Sequence, residues 1–280
     1  MDELPQNILD CIGNTTLLAL RNIVPGNGSR ILLKLENENP TGSMKDRMAL
    51  AMIEAAEADG RLQAGGSVVE YTGGSTGVSL SLVCAVKGYP LHIVTSDAFA
   101  REKLDHMKIL GARLQIVHSD SGGMTEKLTR DMVEAARIIA AETGSFWTDQ
   151  LNNKDQLAAY HKMAEEIWIQ TEGKIDAFVQ SVGTAASLRG IAEALRRHNK
   201  QIRIVAVEPS ESPVLSASQA LIKLTVSERV LWCRSGRRAS PIRLNGFPRK
   251  RRWPWPIGWP GRKASLRGLP RAPMSSPLCD

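Results

Sequence analysis

Short apolar, β-branched runs alternate with single amphipathic stretches along the first 216 residues of the chain. Runs with the period of a strand lie at residues 31–35, 67–72, 91–95, 112–118, 177–181 and 202–208. Stretches with the period of a helix lie at residues 44–59, 76–87, 99–110, 124–142, 154–171 and 187–198. Strands that are separated by single helices pair in parallel through crossovers, so the pattern predicts an α/β fold with helices on both faces of its sheets.

The composition is that of an ordinary globular protein, with 42% apolar and 23% charged residues. The length of 280 residues is sufficient for two lobes around a large core. No uncharged apolar run reaches the ~18 residues of a membrane span, and the first residues lack the pattern of a secretory signal. The four cysteines are scattered without a paired motif, which argues against a zinc site or a disulfide framework. We therefore expect a cytoplasmic protein without a metal site or a membrane contact.

The composition changes abruptly after Ser216. Residues 217–280 contain 14 Lys and Arg but only two acidic residues, whereas residues 1–216 contain 22 basic and 27 acidic residues. The segment 217–280 is also rich in Pro and Trp and has no apolar period, so we expect most of it to be disordered. Its basic run 249–252 could be read as a nucleic-acid-binding patch, but accidental sequence is the preferred interpretation and we expect no nucleic-acid partner.

One lysine stands at the predicted start of a helix. Ser43 is a suitable N-cap for the helix 44–59, and Asp46 lies in its first turn. The positive end of the helix dipole disfavours an ammonium group at Lys45, which lowers its pKa and favours the free amine that Schiff-base chemistry requires. The alternative is an exposed lysine whose side chain turns into solvent. This motif alone does not decide between a reactive amine and a solvent-exposed lysine.

Two glycine-rich turns each connect a predicted strand to a helix, at residues 70–77 and 181–190. Backbone N–H groups at a helix start favour anions, and Thr72, Ser75 and Thr76 add hydroxyl groups to the first turn. The first turn could therefore bind a carboxylate and the second a phosphate. An ordinary strand-to-helix connection and close helix–strand packing are the alternatives.

Taken together and in this order, the motifs resemble those of the fold-type II pyridoxal-phosphate enzymes, cysteine synthases in particular. The resemblance covers about three quarters of the chain. The matching segments are IGNTTL at 12–17, NPTGSMKDR at 39–47, EYTGGSTG at 70–77, QLNN at 150–153 and GTAASLRG at 183–190.

The resemblance implies a role for each site residue. Lys45 would be the catalytic residue and would bind the cofactor, pyridoxal 5′-phosphate, as a Schiff base. The cofactor's phosphate would be bound, mainly through backbone N–H groups, by Gly183, Thr184, Ala185, Ala186 and Ser187. Ser75 stands where the family has an asparagine beside the cofactor's 3′-oxygen. The carboxylate of the amino-acid substrate would be bound by Thr72, Gly73, Gly74, Thr76 and Gln150.

The fold implied by the resemblance has two lobes. Residues 1–40 and 148–216 would form the larger, cofactor-binding lobe, truncated at its C-terminal end. Residues 41–147 would form a smaller, mobile lobe with the substrate turn. Family members suggest a homodimer. Strands and a pyridine-nitrogen ligand that should follow residue 216 are lacking, so we expect weakened cofactor binding or marginal folding.

The implied reaction is β-replacement, in which O-acetylserine and sulfide give cysteine and acetate. The chain departs from the family pattern at Gly73, Ser75, Ala185 and Ala186, where the family has Ser, Asn, Gly and Gly. Because of these changes, the identities of the leaving group and of the nucleophile stay open. The alternatives are β-elimination, as in a cysteine desulfhydrase or a serine/threonine dehydratase, and an inactive pseudo-enzyme.

We interpret the composition break as a change of reading frame near Ser216. The family continues with HKIxGIGxG and later GxSxGA, and neither motif occurs in the chain. Codons for residues 217–230, 253–256 and those from 270 onward can be chosen so that a frame shifted by one base encodes family-like segments.

Sequencing the gene across the codon for Ser216 tests this interpretation. We expect the frame one base out of step to remain open and to encode the glycine-rich continuation GEPGAHKIDGIGAG, or a close variant, opposite residues 217–230. A shifted frame interrupted by stop codons would contradict it.

Overall fold

Six helices and nine strands form the part of the chain that the computed structural model describes, residues 4–21, 30–209 and 230–235. The helices are α1 Lys45–Ala58, α2 Ser75–Lys87, α3 Arg101–Ile109, α4 Glu126–Thr143, α5 Gln156–Gln170 and α6 Ala186–His198. The strands are β1 Leu17–Ala19, β2 Leu32–Lys34, β3 Val68–Tyr71, β4 Leu91–Ser96, β5 Arg113–Val117, β6 Phe146–Trp147, β7 Ala177–Ser181, β8 Arg203–Pro209 and β9 Val230–Ser235. None of these six helices is long and apolar enough to cross a membrane.

The largest sheet has the strand order β5-β4-β3-β6, and all its strands are parallel. Val69 and Val94 face the helix α4, while Val68 and Ile93 belong to the core that α2 shares. Helices therefore cover both faces, as the strand–helix alternation predicts. All twelve predicted elements are present, and their ends differ from the prediction by no more than two residues. The predicted α/β class is confirmed.

A separate parallel sheet has the strand order β7-β8-β9. The helix α6, which follows β7, packs against α5. Gly190 permits this packing, because a Cβ at that position would lie 2.7 Å from Cβ of Tyr160. One glycine of the second glycine-rich turn therefore serves close packing between two helices, whereas the alternative suggested by the sequence was close helix–strand packing.

Three strands within residues 1–216 differ from the prediction. The strand at residues 31–35 was expected to pair in parallel, but β2 pairs antiparallel with β1. The strands β1 and β6 were not predicted, because runs of two or three residues show no measurable period.

The segment 217–280 contributes one described element, the strand β9. It pairs in parallel with β8, with Ile204 opposite Val230. Residues 230–235 are therefore an exception to the expectation that most of this segment is disordered. The rest of this segment lies outside the described residues. All the described residues belong to one compact unit, Met1–Arg243. The division into two lobes stays a prediction.

The residue after Lys45 joins the start of α1 to α2. Asp46 is completely buried and accepts hydrogen bonds from the backbone N of Thr41 at 2.8 Å and from Ser79 Oγ at 2.5 Å. The Thr41 hydroxyl also donates to this carboxylate. A buried carboxylate is tolerated only when such donors satisfy it, so these contacts fix the first turn of α1.

The next residue, Arg47, joins the same turn to α5. Arg47 Nε donates to Glu36 Oε2 at 2.7 Å, and Nη1 donates to Glu166 Oε1 at 2.6 Å. Burial would raise the pKa of Glu166, but hydrogen bonds from Arg47 and Lys34 outweigh burial and lower it to about 2. The network is therefore ionised at neutral pH and holds the helix start in place.

Candidate active site

Lys45 is the first residue of α1, and its side chain is partly buried. Burial lowers the pKa of its ammonium group below the ordinary value. Within the described residues, Lys45 Nζ has no hydrogen bond or ion pair. The helix dipole and burial act in the same direction, because both disfavour the charged form of Lys45. A larger fraction of Lys45 is therefore the nucleophilic free amine.

The helix begins one residue later than predicted. Met44 is the N-cap, and its side chain makes no capping hydrogen bond. Ser43, the predicted cap, still contributes, since its Oγ accepts from the backbone N of Lys45 at 3.2 Å and its carbonyl accepts from Asp46 N at 3.2 Å. Ser43 therefore stabilises the turn that presents Lys45.

The predicted substrate turn leads from β3 into α2. Gly74 is the N-cap, no side chain caps the helix, and its first turn contains no acidic residue. The hydroxyl of the buried Thr72 accepts a hydrogen bond from the backbone N of Gly74 at 3.3 Å, and Thr76 is also buried. Backbone donors and hydroxyl groups at an uncapped helix start fit a carboxylate.

Gln150 is brought to this turn from a distant part of the sequence. Thr76 Oγ1 donates to Gln150 Oε1 at 2.8 Å, and Gln150 Nε2 donates to the carbonyl of Tyr71 at 3.0 Å. The structure thus joins Gln150 to the segment that contains the other four predicted carboxylate ligands. Their role in substrate binding stays a prediction.

Glu70 supports Gln150, a role that was not predicted from the sequence. Glu70 Oε2 accepts from Gln150 N at 3.0 Å and from Thr148 Oγ1 at 2.5 Å, and Oε1 accepts from Tyr71 N at 2.8 Å. Burial raises the pKa of Glu70 to about 7, although the three hydrogen bonds oppose this shift. An acidic residue within an apolar strand was the available signal, because a buried carboxylate requires donors.

Phe99 explains why Gly73 has no side chain. A Cβ at residue 73 would lie 1.8 Å from Cδ2 and Cγ of Phe99, so the aromatic ring occupies the space that a side chain would need. The same test finds no atom within 4 Å at Gly74. Phe99, which precedes α3, thus occupies the space that the family's serine side chain would need at residue 73.

The predicted phosphate turn leads from β7 into α6. Ala185 is the N-cap and has a left-handed backbone with φ +66°, no side chain caps the helix, and its first turn holds no acidic residue. A Cβ at Gly183 would meet no atom within 4 Å. A left-handed residue before a helix turns successive N–H groups toward one point, and the space beside Gly183 is open. The donor set therefore fits a phosphate group.

Gln180 of β7 links the residue before Lys45 to this phosphate turn. Gln180 Nε2 is 2.7 Å from Ser187 Oγ and 3.5 Å from Sδ of Met44, the residue before Lys45. The side chains of Ser75 and Thr184 make no hydrogen bond in the described ranges. No cluster of three or more His, Cys, Asp or Glu side chains suited to a metal ion occurs in the same part of the chain.

The chain is similar to known enzymes that depend on pyridoxal phosphate. The sequence profile of the family described as pyridoxal-phosphate dependent enzyme matches residues 8–243. A cysteine synthase from Staphylococcus aureus is 37% identical over 215 residues, which cover 76% of this chain and 67% of that relative. The crystal structure of O-acetyl serine sulfhydrylase isoform 3 from Entamoeba histolytica is similar with a TM-score of 0.74 at 32% identity, over 83% of this chain and 74% of that chain.

A hydrogen sulfide-producing enzyme from Fusobacterium nucleatum is similar to the same degree. Its TM-score is 0.74 at 31% identity, over 82% of this chain and 81% of that chain. The chain belongs to the pyridoxal-phosphate dependent enzyme family. The predicted class, a cysteine synthase-like enzyme that depends on pyridoxal phosphate, is confirmed.

The contact between Gly73 and Phe99 predicts an asymmetry between the two adjacent glycines of the substrate turn. Gly73→Ala should lower the free energy of unfolding by ~1–3 kcal/mol, because the new Cβ must displace the aromatic ring. Gly74→Ala is the matched control and should change it much less, since Gly74 has an extended backbone and open space around it. Urea denaturation measures both variants.

A second substitution shows whether the ring is the cause. In a Phe99→Ala background, Gly73→Ala should cost little further stability, because the clash is gone. Equal losses from Gly73→Ala with and without Phe99 would refute the explanation.

Proposed function

We propose that this chain catalyses β-replacement on an O-activated serine, with O-acetylserine and sulfide giving cysteine and acetate. The proposal depends chiefly on one observation. A partly buried lysine without an ionic partner in the described residues is the first residue of α1, and Gln180 of β7 links the preceding residue, Met44, to Ser187 of α6. The similarity to a cysteine synthase and to an O-acetyl serine sulfhydrylase supports the choice of substrates.

Each part of the site would have one task. Bound pyridoxal phosphate supplies an electron sink that stabilises negative charge at the substrate's α-carbon. Gly183, Thr184, Ala185, Ala186 and Ser187 would hold its phosphate through N–H and hydroxyl donors, and Ser75 would lie beside its 3′-oxygen. Lys45 would bind its aldehyde carbon.

The substrate's carboxylate would be held by the turn at the start of α2. Thr72, Gly73, Gly74 and Thr76 would supply backbone and hydroxyl donors, and Gln150 would complete the site. Glu70 holds the backbone of Gln150 in place and makes no contact with the substrate in this scheme. A fixed carboxylate orients the α-carbon toward Lys45.

Lys45 would transfer the proton. Once the substrate's amino group has displaced Lys45 from the aldehyde carbon, the freed amine would remove the proton from the substrate's α-carbon, and the Cβ–O bond would break with acetate leaving as the anion. Sulfide forms the new Cβ–S bond, and Lys45 returns the proton to the α-carbon. The lowered pKa of Lys45 supports this role, because the base must be uncharged to accept a proton.

The second candidate is β-elimination without a replacing nucleophile, of the cysteine desulfhydrase or serine/threonine dehydratase type. One observation favours it, the similarity to a hydrogen sulfide-producing enzyme. An inactive pseudo-enzyme is the third candidate, because the chain spans about two thirds of the length of its curated relative.

We also propose the arrangement in which the site would work. Residues 1–40 and 148–216 would form the cofactor-binding lobe, and residues 41–147 the lobe that carries the substrate turn. The separation of the β5-β4-β3-β6 sheet from the β7-β8-β9 sheet supports this division. The enzyme would act in the cytoplasm as a homodimer on small molecules alone.

Borohydride reduction after addition of pyridoxal phosphate tests the role of Lys45. We expect the label on the peptide that contains Lys45, identified by mass spectrometry. Lys45→Ala should lose this label and at least ~100-fold in turnover, the usual contribution of a positioned acid–base group. Lys162→Ala, an exposed lysine of α5, is the control and should change neither quantity. Undiminished labelling or turnover in Lys45→Ala would exclude the proposed role.

Product analysis separates the two reactions. With O-acetylserine and sulfide, β-replacement predicts cysteine and acetate in equal amounts, and little sulfide release from cysteine alone. β-Elimination predicts pyruvate and ammonia from O-acetylserine, or these products with sulfide from cysteine. A chain that forms none of these products while binding the cofactor would be a pseudo-enzyme.

A further inference from the structure

Gln180 lies on β7 and contacts both the loop of Lys45 and the predicted phosphate turn. Its Nε2 donates to Ser187 Oγ at 2.7 Å and faces Met44 Sδ at 3.5 Å. Ser187 is the second residue of α6, and Met44 is the N-cap of α1. A single amide group therefore joins two helix starts that lie far apart in the sequence.

The direction of the hydrogen bond to Ser187 determines what its hydroxyl can do. Because Gln180 donates, the Ser187 oxygen is the acceptor and its own proton remains available. In the opposite arrangement the hydroxyl would donate to Gln180, and the proton would be occupied. An available proton in the first turn of an uncapped helix can be donated to an anion.

Met44 selects the orientation of the amide. A thioether sulfur can accept a weak hydrogen bond but cannot donate one, so the NH2 group of Gln180 and not its oxygen faces Sδ. The Gln180 oxygen, Oε1, is buried and has no hydrogen-bond partner among the described residues. In this orientation the Gln180 amide donates to both Met44 Sδ and Ser187 Oγ, while its own oxygen has no hydrogen-bond donor among the described residues.

We propose that Gln180 is a positioning residue that turns the Ser187 hydroxyl proton toward the phosphate of the cofactor. Through Met44, the same amide ties this hydroxyl to the loop of Lys45. The inference rests on the proposed function, in which Ser187 binds the phosphate. It adds Gln180 and Met44 to that site, although neither would touch the phosphate.

Binding of two aldehydes to the full-length chain tests the inference. Pyridoxal phosphate carries the phosphate and pyridoxal lacks it, and absorbance titration gives a dissociation constant for each. Gln180→Met keeps the length of the side chain and removes the amide. It should weaken pyridoxal phosphate roughly three- to tenfold, which corresponds to one hydrogen bond, and leave pyridoxal unchanged.

A double-mutant cycle shows whether Gln180 acts through Ser187. In a Ser187→Ala background, Gln180→Met should cause no further loss of affinity for pyridoxal phosphate. Met44→Leu removes the sulfur and retains Gln180, and it provides a second test should Gln180→Met fail to fold. It should weaken pyridoxal phosphate by a smaller factor, and only when Ser187 is present.

Four outcomes would overturn the inference. An equal loss for both aldehydes would mean that Gln180 only supports the structure. An undiminished loss in the Ser187→Ala background would mean that it acts elsewhere. Tighter binding of pyridoxal phosphate by Gln180→Met would mean that the hydroxyl donates to Gln180. Wild-type chain that binds neither aldehyde would instead refute the proposed function, and this inference with it.

Discussion

The first turn of α1 is the constraint on which the candidate site depends. Asp46 and Arg47 follow Lys45 directly, and both are buried with several partners. Asp46 binds the turn to Ser79 of α2, and Arg47 binds it to Glu166 of α5. Breaking a buried ion pair by removing one partner typically costs ~3–5 kcal/mol, so rotating or unwinding this turn would carry a large free-energy cost. The lysine is therefore presented by a rigid element, and its amine remains without a partner in the described residues.

The two anion sites depend on the backbone more than on particular side chains. Both α2 and α6 begin without a side-chain cap or an acidic residue in the first turn. Backbone N–H groups at a helix start are present whichever small residue occupies the position. This explains how Ala185 and Ala186 can stand where the family has glycines without removing the donors. Gly73 is different, because the ring of Phe99 fills the space that a side chain there would need.

Much of the architecture could be predicted from the sequence because the helices and strands have different apolar periods. Long periodic elements such as α4 and β4 were located within two residues. Short elements were missed, since β1 and β6 bury too few side chains to show a period. The antiparallel pairing of β2 also could not be predicted, because its partner was not recognised. The strand β9 was missed because its surroundings have the composition of a disordered segment.

The features of the candidate site were also predicted only in part from the sequence. The sequence by itself determined the strand–helix alternation, the lysine at a helix start and the two glycine-rich turns, because these are local features of consecutive residues. Only the tertiary structure decided that Gln150 reaches Thr76 and that Glu70 supports it. The contact between Gln180 and Met44 likewise could not be predicted from the sequence. Such contacts join residues that are far apart in the chain, and their distances depend on how the sheets and helices pack.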